Sequence, residues 1–200
     1  VFILKIFNMK FLKSFFAITI VFTLSYCAGN TSDKVKEEKK ESSLPAGKPN
    51  GGITLPAGFS ASVFADNLGK ARHIAVNSNG DVYTKIDELK DGHGIFRLRD
   101  ANKDGVAEDI SGFGNYKGTG IAIKNGFLYA TTDEKIYRYK LNTNNEVDAA
   151  SEELIVTDLV NKNQHSSKPI TLDNAGNIYV NIGAPSNACQ EKDRIKDSKG

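Results

Sequence analysis

One phrase is written three times along this chain, and it limits the fold more than any other feature. Residues 72–84, 119–130 and 168–180 each run apolar-small-apolar, then through a polar turn with glycine, then into an apolar-tyrosine pair. The tyrosines fall at Tyr83, Tyr129 and Tyr179, a spacing of 46 and then 50 residues. Asn, Asp and Gly between two β-branched runs mark a hairpin, because these residues take positive φ at little cost. A hairpin that returns every 40 to 50 residues, with further strands in between, is the signature of a β-propeller. The filling agrees. Residues 94–99 and 135–140 alternate as strands in equivalent places, and residues 153–159 read as a further outer strand. No stretch has amphipathic helix periodicity. The abundance of Gly (18) and the short apolar runs fit an all-β chain with many turns. The folded part is expected over residues 53–200 and holds about three blades. A propeller closes with roughly four to eight, so the sequence reads as the N-terminal part of a longer protein, its propeller cut short on the C-terminal side.

The first 52 residues read as an address and a tether. Met9-Lys10-Phe11-Leu12-Lys13 has the charge of a signal n-region, and residues 14–25 form an apolar h-region. That run is shorter than the roughly 20 residues of a spanning helix. Leu24-Ser25-Tyr26-Cys27 resembles a bacterial lipobox, with Tyr26 where a small residue is usual. Residues 1–26 are therefore expected to be a lipoprotein-type signal peptide and Cys27 the lipidated first mature residue. The expected place is the bacterial cell envelope, anchored to the outer membrane and facing the periplasm or the surface. Residues 27–52 are charged, with almost no apolar side chain to bury, and are expected to be a flexible linker. Lipidation of Cys27 leaves Cys189, either as a free thiol or with a partner beyond Gly200. Removing residues 1–26, which hold three lysines and no acid, turns the formal charge of +2 into −1. Nothing in that balance points to nucleic acid or acidic lipid.

Candidate chemistry gathers ahead of the repeated hairpins. His165 stands three residues before the third copy, where a propeller loop meets the central channel, and a neutral imidazole there suits a general base. Arg72 opens the first copy in an equivalent place and could face an anionic ligand or serve the structure. Asp100-Ala101-Asn102-Lys103-Asp104-Gly105 matches the first half of a calcium loop. Its twelfth position is Ser111 rather than Glu and no helices flank it. We therefore expect a polar hairpin turn, with Asp100, Asn102 and Asp104 as a weak candidate metal site. His93 reads as a loop residue.

Gln164-His165-Ser166-Ser167-Lys168-Pro169-Ile170, followed by Asn174-Ala175-Gly176-Asn177-Ile178-Tyr179-Val180-Asn181-Ile182-Gly183-Ala184-Pro185-Ser186-Asn187, resembles the soluble glucose/sorbosone dehydrogenases. The likeness extends over roughly residues 55–187. These are quinoproteins built as six-bladed propellers, in which this run carries the catalytic base. The resemblance implies pyrroloquinoline quinone (PQQ) over the channel, with a calcium ion polarising its reactive carbonyl. It gives His165 the role of taking the proton from a sugar hydroxyl and puts Asn115 in the cofactor loop, with the family's basic residues for the quinone carboxylates and its calcium ligands falling after Gly200. Arg72 and Lys168, at equivalent places in the first and third copies, are further candidates against the cofactor. The family's Gln-Asn-Gly-Leu-Leu-Gly cofactor loop corresponds here to Asn115-Tyr116-Lys117-Gly118-Thr119-Gly120, with Asn115 in place of the Gln. The expected function is a lipid-anchored dehydrogenase of a sugar or related alcohol, passing electrons to a respiratory acceptor such as a cytochrome c. The alternative is a non-catalytic propeller that binds a carbohydrate or protein partner at the envelope. A calcium-dependent hydrolase would need channel carboxylates that the sequence does not offer.

Overall fold

The computed structural model describes residues 3–8, 50–161, 164–184, 186, 192 and 194–198. The described residues form twelve β-strands and one short 3-10 turn. Strands β3 (Ala71–Val76), β4 (Val82–Lys90), β5 (His93–Arg99) and β6 (Asp109–Phe113) form one antiparallel sheet in chain order. Strands β7 (Ile121–Lys124), β8 (Phe127–Thr131), β9 (Ile136–Lys140) and β10 (Glu153–Val156) form a second of the same design. A third begins with the hairpin β11 (Ile170–Leu172) and β12 (Ile178–Val180). The described residues thus hold two four-stranded propeller blades and the inner hairpin of a third. Ahead of them, β2 (Phe59–Ala65) pairs with β1 (Ile3–Asn8), so residues read from sequence as part of the leader are strand here. The h-region, Cys27, most of the linker and Cys189 lie outside the described residues.

The three repeated phrases form the three inner hairpins, and their turns show why. In the first and third copies, Gly80 and Gly176 sit at φ 95° and 88°, values that cost a side chain dearly. Each glycine N–H reaches back across the turn, to Asn77 O at 3.0 Å and to Asp173 O at 3.2 Å. The second copy shortens the turn to Asn125-Gly126, both at positive φ, as a two-residue hairpin requires.

Side-chain alternation then packs the blades face to face. Val82 and Ile86 of β4 with Phe96 and Leu98 of β5 turn towards Phe64 and Leu68, forming one core. Tyr83 and Ile95, on the other face of the same sheet, meet Ile121, Leu128 and Tyr139 of the second blade. Tyr129 and Ile136 meet Ile170 of the third. Phe113 stands edge-on to both Tyr83 and Tyr139, 6.3 and 5.1 Å between centroids, which adds directional aromatic contacts to the burial.

Every inner strand opens its blade, so β3, β7 and β11 run the same way. The loops that precede them gather at one end of the molecule, together with the β4–β5 and β8–β9 turns. The hairpin turns and the loops 100–108 and 141–152 gather at the other. That second end is tied by an ion network. Arg99 donates twice to the buried Asp81 carboxylate, at 2.7 and 2.7 Å, and once to Glu146 of the second blade at 2.6 Å. Burial opposes ionisation of Asp81, but the Arg99 bonds outweigh it and hold its pKa below the usual carboxylate value. With the folded pKa depressed, this contribution is present above about pH 4 and is lost as pH falls through the folded value. Arg99→Met leaves the Asp81 carboxylate buried without its cation, and we expect urea unfolding to show a loss of about 2 kcal/mol.

Candidate functional site

Two loops meet ahead of β7 and β11. The first spans residues 114–120. Gly94 donates to Gly114 O at 2.6 Å, so the loop leaves the first blade along the β5 edge. Tyr116 points inward. Its ring stacks on Tyr137 at 4.3 Å, and its hydroxyl lies 2.8 Å from that of Tyr139. Lys85 Nζ donates to Tyr116 O at 2.6 Å and to Gly94 O at 3.1 Å, and stands 4.6 Å from the centre of the Tyr116 ring. Gly118 N–H donates to Ile86 O at 3.1 Å. A Cβ on Gly118 would lie 1.9 Å from Thr131 O, so only glycine passes there. With Tyr116 plugged inward, its neighbours Asn115 and Lys117 stay exposed.

The second loop, residues 164–169, locks onto the first. Lys168 N–H donates to Thr119 Oγ1 at 2.8 Å, and Lys168 O accepts from Thr131 Oγ1 at 2.8 Å. Thr131 Oγ1 also accepts from Gly120 N–H at 2.9 Å. The Lys168 side chain is 1% exposed, and its Nζ donates to Ser166 O at 2.7 Å. Lys168, a sequence candidate for the cofactor, is thus turned inward and fastens the loop to itself.

His165 is exposed and takes φ 50°, a left-handed conformation that few non-glycine residues adopt. Gly183 packs against it. A Cβ on Gly183 would lie 2.6 Å from both the Cβ and the carbonyl oxygen of His165. Asn181 N–H extends the β11–β12 ladder by donating to Pro169 O at 3.0 Å, which fixes Gly183 at that station. An open pocket of about 430 Å³ lies here, lined by His165, Ser167, Pro169, Asn181, Ala184 and Ser186. Its walls are small side chains, hydroxyls and an amide.

Arg72 begins β3 at the same end, and β3 packs beside β7 as β7 packs beside β11. Arg72 is exposed and shares its strand face with Ile74 and Val76, turned away from the second blade, whereas Ala75 packs towards it. The three inner strands therefore bring Arg72, the 114–120 loop and His165 to one end. They join the last two directly.

Asp100, Asn102 and Asp104 lie at the other end. Asp100, Asp104 and Glu108 hold carboxylate oxygens within 4.8 Å of one another, the sole such acidic trio among the described residues. Backbone N–H groups of their own loop already donate to them. Asp100 accepts from Asp104 and Gly105, Asp104 from Val106, and Glu108 from Ala101, all at 2.9 to 3.0 Å. This is how a polar turn satisfies itself. A cavity of about 870 Å³ also opens at that end, between β2 and the first blade. Its charged wall is the Asp81–Arg99–Glu146 network, whose groups are bonded to one another.

Lys85 is the site residue that the sequence hides. It is fully buried, and burial brings its pKa down to about 7, with Asp87 and Asp133 pulling the other way. Strict alternation along β4 was the available signal, because it sets Lys85 on the face of Tyr83, the face that meets the second blade.

Comparison with known proteins agrees with this architecture. A calcium structure of the Trichoderma reesei carbohydrate-active enzyme of family AA12 superimposes with a TM-score of 0.51. It is 24% identical, over 62% of this chain and 32% of that one, so this chain spans about a third of that enzyme's length. The holo form of the pyranose dehydrogenase PQQ domain from Coprinopsis cinerea is 15% identical over 60% of this chain and 29% of that one, with a TM-score of 0.49. No curated protein matches the chain. The TrAA12-like family model matches residues 53–199, from the turn ahead of β2 to beyond the third inner hairpin, and the chain belongs to the TrAA12-like family.

Proposed function

We propose that this chain forms part of a quinoprotein dehydrogenase that oxidises a sugar or related alcohol with PQQ, with His165 as general base. One observation carries the reading. The loop that the glucose/sorbosone dehydrogenase resemblance equates with the cofactor loop is bonded directly to the loop that bears His165, Thr119 Oγ1 accepting from Lys168 N–H. Membership of the TrAA12-like family supports it.

The end of the molecule that bears His165 also offers donors suited to an anionic planar cofactor. Asn115 and Lys117 are exposed on the loop, and Arg72 is exposed on the adjoining inner strand. These three would hold the quinone, while Lys168 serves by rigidity rather than by charge. When bound, the quinone supplies the acceptor for the hydride that leaves the substrate carbon. His165 accepts the hydroxyl proton at an imidazole nitrogen as the C–O bond gains carbonyl character. Ser167, Asn181 and Ser186 line the pocket beside it and suit the hydroxyls of a sugar. Calcium near the quinone would draw its ligands from outside the acidic trio, which lies at the far end. The address completes the proposal: a lipidated Cys27, an outer-membrane anchor, and transfer of electrons to a respiratory acceptor such as a cytochrome c.

The test is reconstitution of the full-length protein with PQQ and calcium, followed by dye reduction across aldoses and polyols. Bound-quinone absorbance and turnover of at least one sugar are expected. Quinone binding without turnover would leave a binding propeller. Neither signal would end the quinoprotein reading.

A further inference from the structure

We propose that Lys85 is a positioning residue for the candidate site: its hydrogen bonds hold the 114–120 loop in the shape that presents Asn115 and Lys117, and loss of its proton tightens that hold. The ligand half of this inference rests on the quinone reading above; the loop half does not.

The geometry carries it. Lys85 is wholly inside the interface between the first two blades, and its amine contacts the loop at Tyr116, whose side chain turns inward. Two carbonyls surround the nitrogen, Tyr116 O at 2.6 Å and Gly94 O at 3.1 Å. Two acceptors are the number that the two N–H groups of a neutral amine can fill. An ammonium has a third donor, which here meets only the face of the Tyr116 ring. Among the described residues no carboxylate forms a salt bridge with it. Gly94 shapes the same contact, since a Cβ there would lie 1.8 Å from Tyr116 O. The loop carbonyl is thus seated between a glycine and an amine.

The direction of the linkage follows. Burial disfavours the ammonium and brings the pKa to about 7, from an ordinary 10.5. Opening the loop returns Lys85 to water and to its ordinary value. Between those limits the open loop binds more protons than the closed one, so closure strengthens as pH rises. Below about 7 both states are protonated and closure no longer depends on pH. The ionisable groups that face Lys85 are Asp87 on its own strand, Asp133 on the β8–β9 turn and the Tyr116 phenol. Burial raises the phenol well above its usual value. His93 precedes Gly94, but its ring lies over Gly112 and against Phe96, on the opposite face of the sheet.

The experiment uses the full-length protein, as wild type and as Lys85→Gln, which keeps a donor and cannot titrate. Amide exchange of residues 114–120, corrected for intrinsic rate and free of ligand, is followed from pH 6 to 9. Wild-type protection should be flat to about pH 7 and then rise by up to tenfold per unit, the limit for release of one proton. PQQ affinity should rise in parallel, and both profiles should be flat in Lys85→Gln. A flat or falling wild-type protection profile overturns the proposal, as does an equal slope in the variant. Should Lys85→Gln fail to fold, the wild-type profile of the loop against core amides such as Tyr83 and Ile95 decides alone. Absence of PQQ binding at every pH would remove the quinone reading, while loop protection would still decide the role of Lys85.

Discussion

His165→Ala is expected to lower kcat of the quinone-loaded full-length protein by about 10²- to 10⁴-fold, the usual worth of a positioned general base. Quinone affinity should change little. The split follows from where the residue stands. His165 is exposed at the rim of a pocket, on a backbone held left-handed against Gly183, ahead of the buried lock between the two loops. That lock is made by Thr119, Gly120, Thr131 and the backbone of Lys168. Removing the imidazole therefore takes away a proton acceptor and leaves the platform standing. Left-handed residues other than glycine cost energy and tend to persist where function selects them, which gives the strain at His165 a reason. Dye-reduction kinetics paired with a quinone titration separate the two effects. Unchanged kcat would remove His165 from the base's role, and equal loss of binding and turnover would make it a structural residue instead.

The propeller was legible because its signals are local. Period-2 alternation and glycine turns act within a dozen residues, and the hairpins at 72–84, 119–130 and 168–180 emerged where the pattern set them. Residues 153–159 likewise became the outer strand β10 at Glu153–Val156. What failed to show was every feature that depends on distant contacts. Lys85 is a charged residue in an alternating strand, and charge argues for a surface position. Its burial comes from Tyr116, 31 residues away, folding over it. Lys168 also reads as a free cation, yet Thr119 and Thr131 claim its backbone from the neighbouring blade, and its amine closes back on Ser166. Tyr116 stands where the family's cofactor loop has its Asn, and no local rule says that it plugs the blade interface. Arg72 occupies the place in the first hairpin that Lys168 holds in the third. Its strand neighbours Ile74 and Val76 are exposed, and its face looks away from the second blade. Equivalence in a repeat fixes the end of the molecule at which a side chain lies, but not the partner it meets.

Gly120→Ala should cost about 3 kcal/mol of stability, combining overpacking with strained hydrogen bonds. A Cβ on Gly120 would lie 2.2 Å from Lys168 O and 2.7 Å from Thr131 Oγ1. Neither neighbour can step aside cheaply. Lys168 O is backbone, fixed by Thr131 Oγ1 at 2.8 Å, and Lys168 N–H is fixed by Thr119 at 2.8 Å. The methyl must push the His165 loop outward or break the bonds that join the blades. Gly126→Ala is the matched control. Nothing lies within 4 Å of a Cβ there, but φ is 78°, so its cost is backbone strain alone, about 1 kcal/mol. Urea unfolding of the full-length protein should place Gly120→Ala well below Gly126→Ala, with turnover reduced further in the former because His165 moves with its loop. Equal stabilities for the two variants would mean that the loops slide past each other. The site would then owe its geometry to the loops individually, and the bond between them could no longer carry the functional reading.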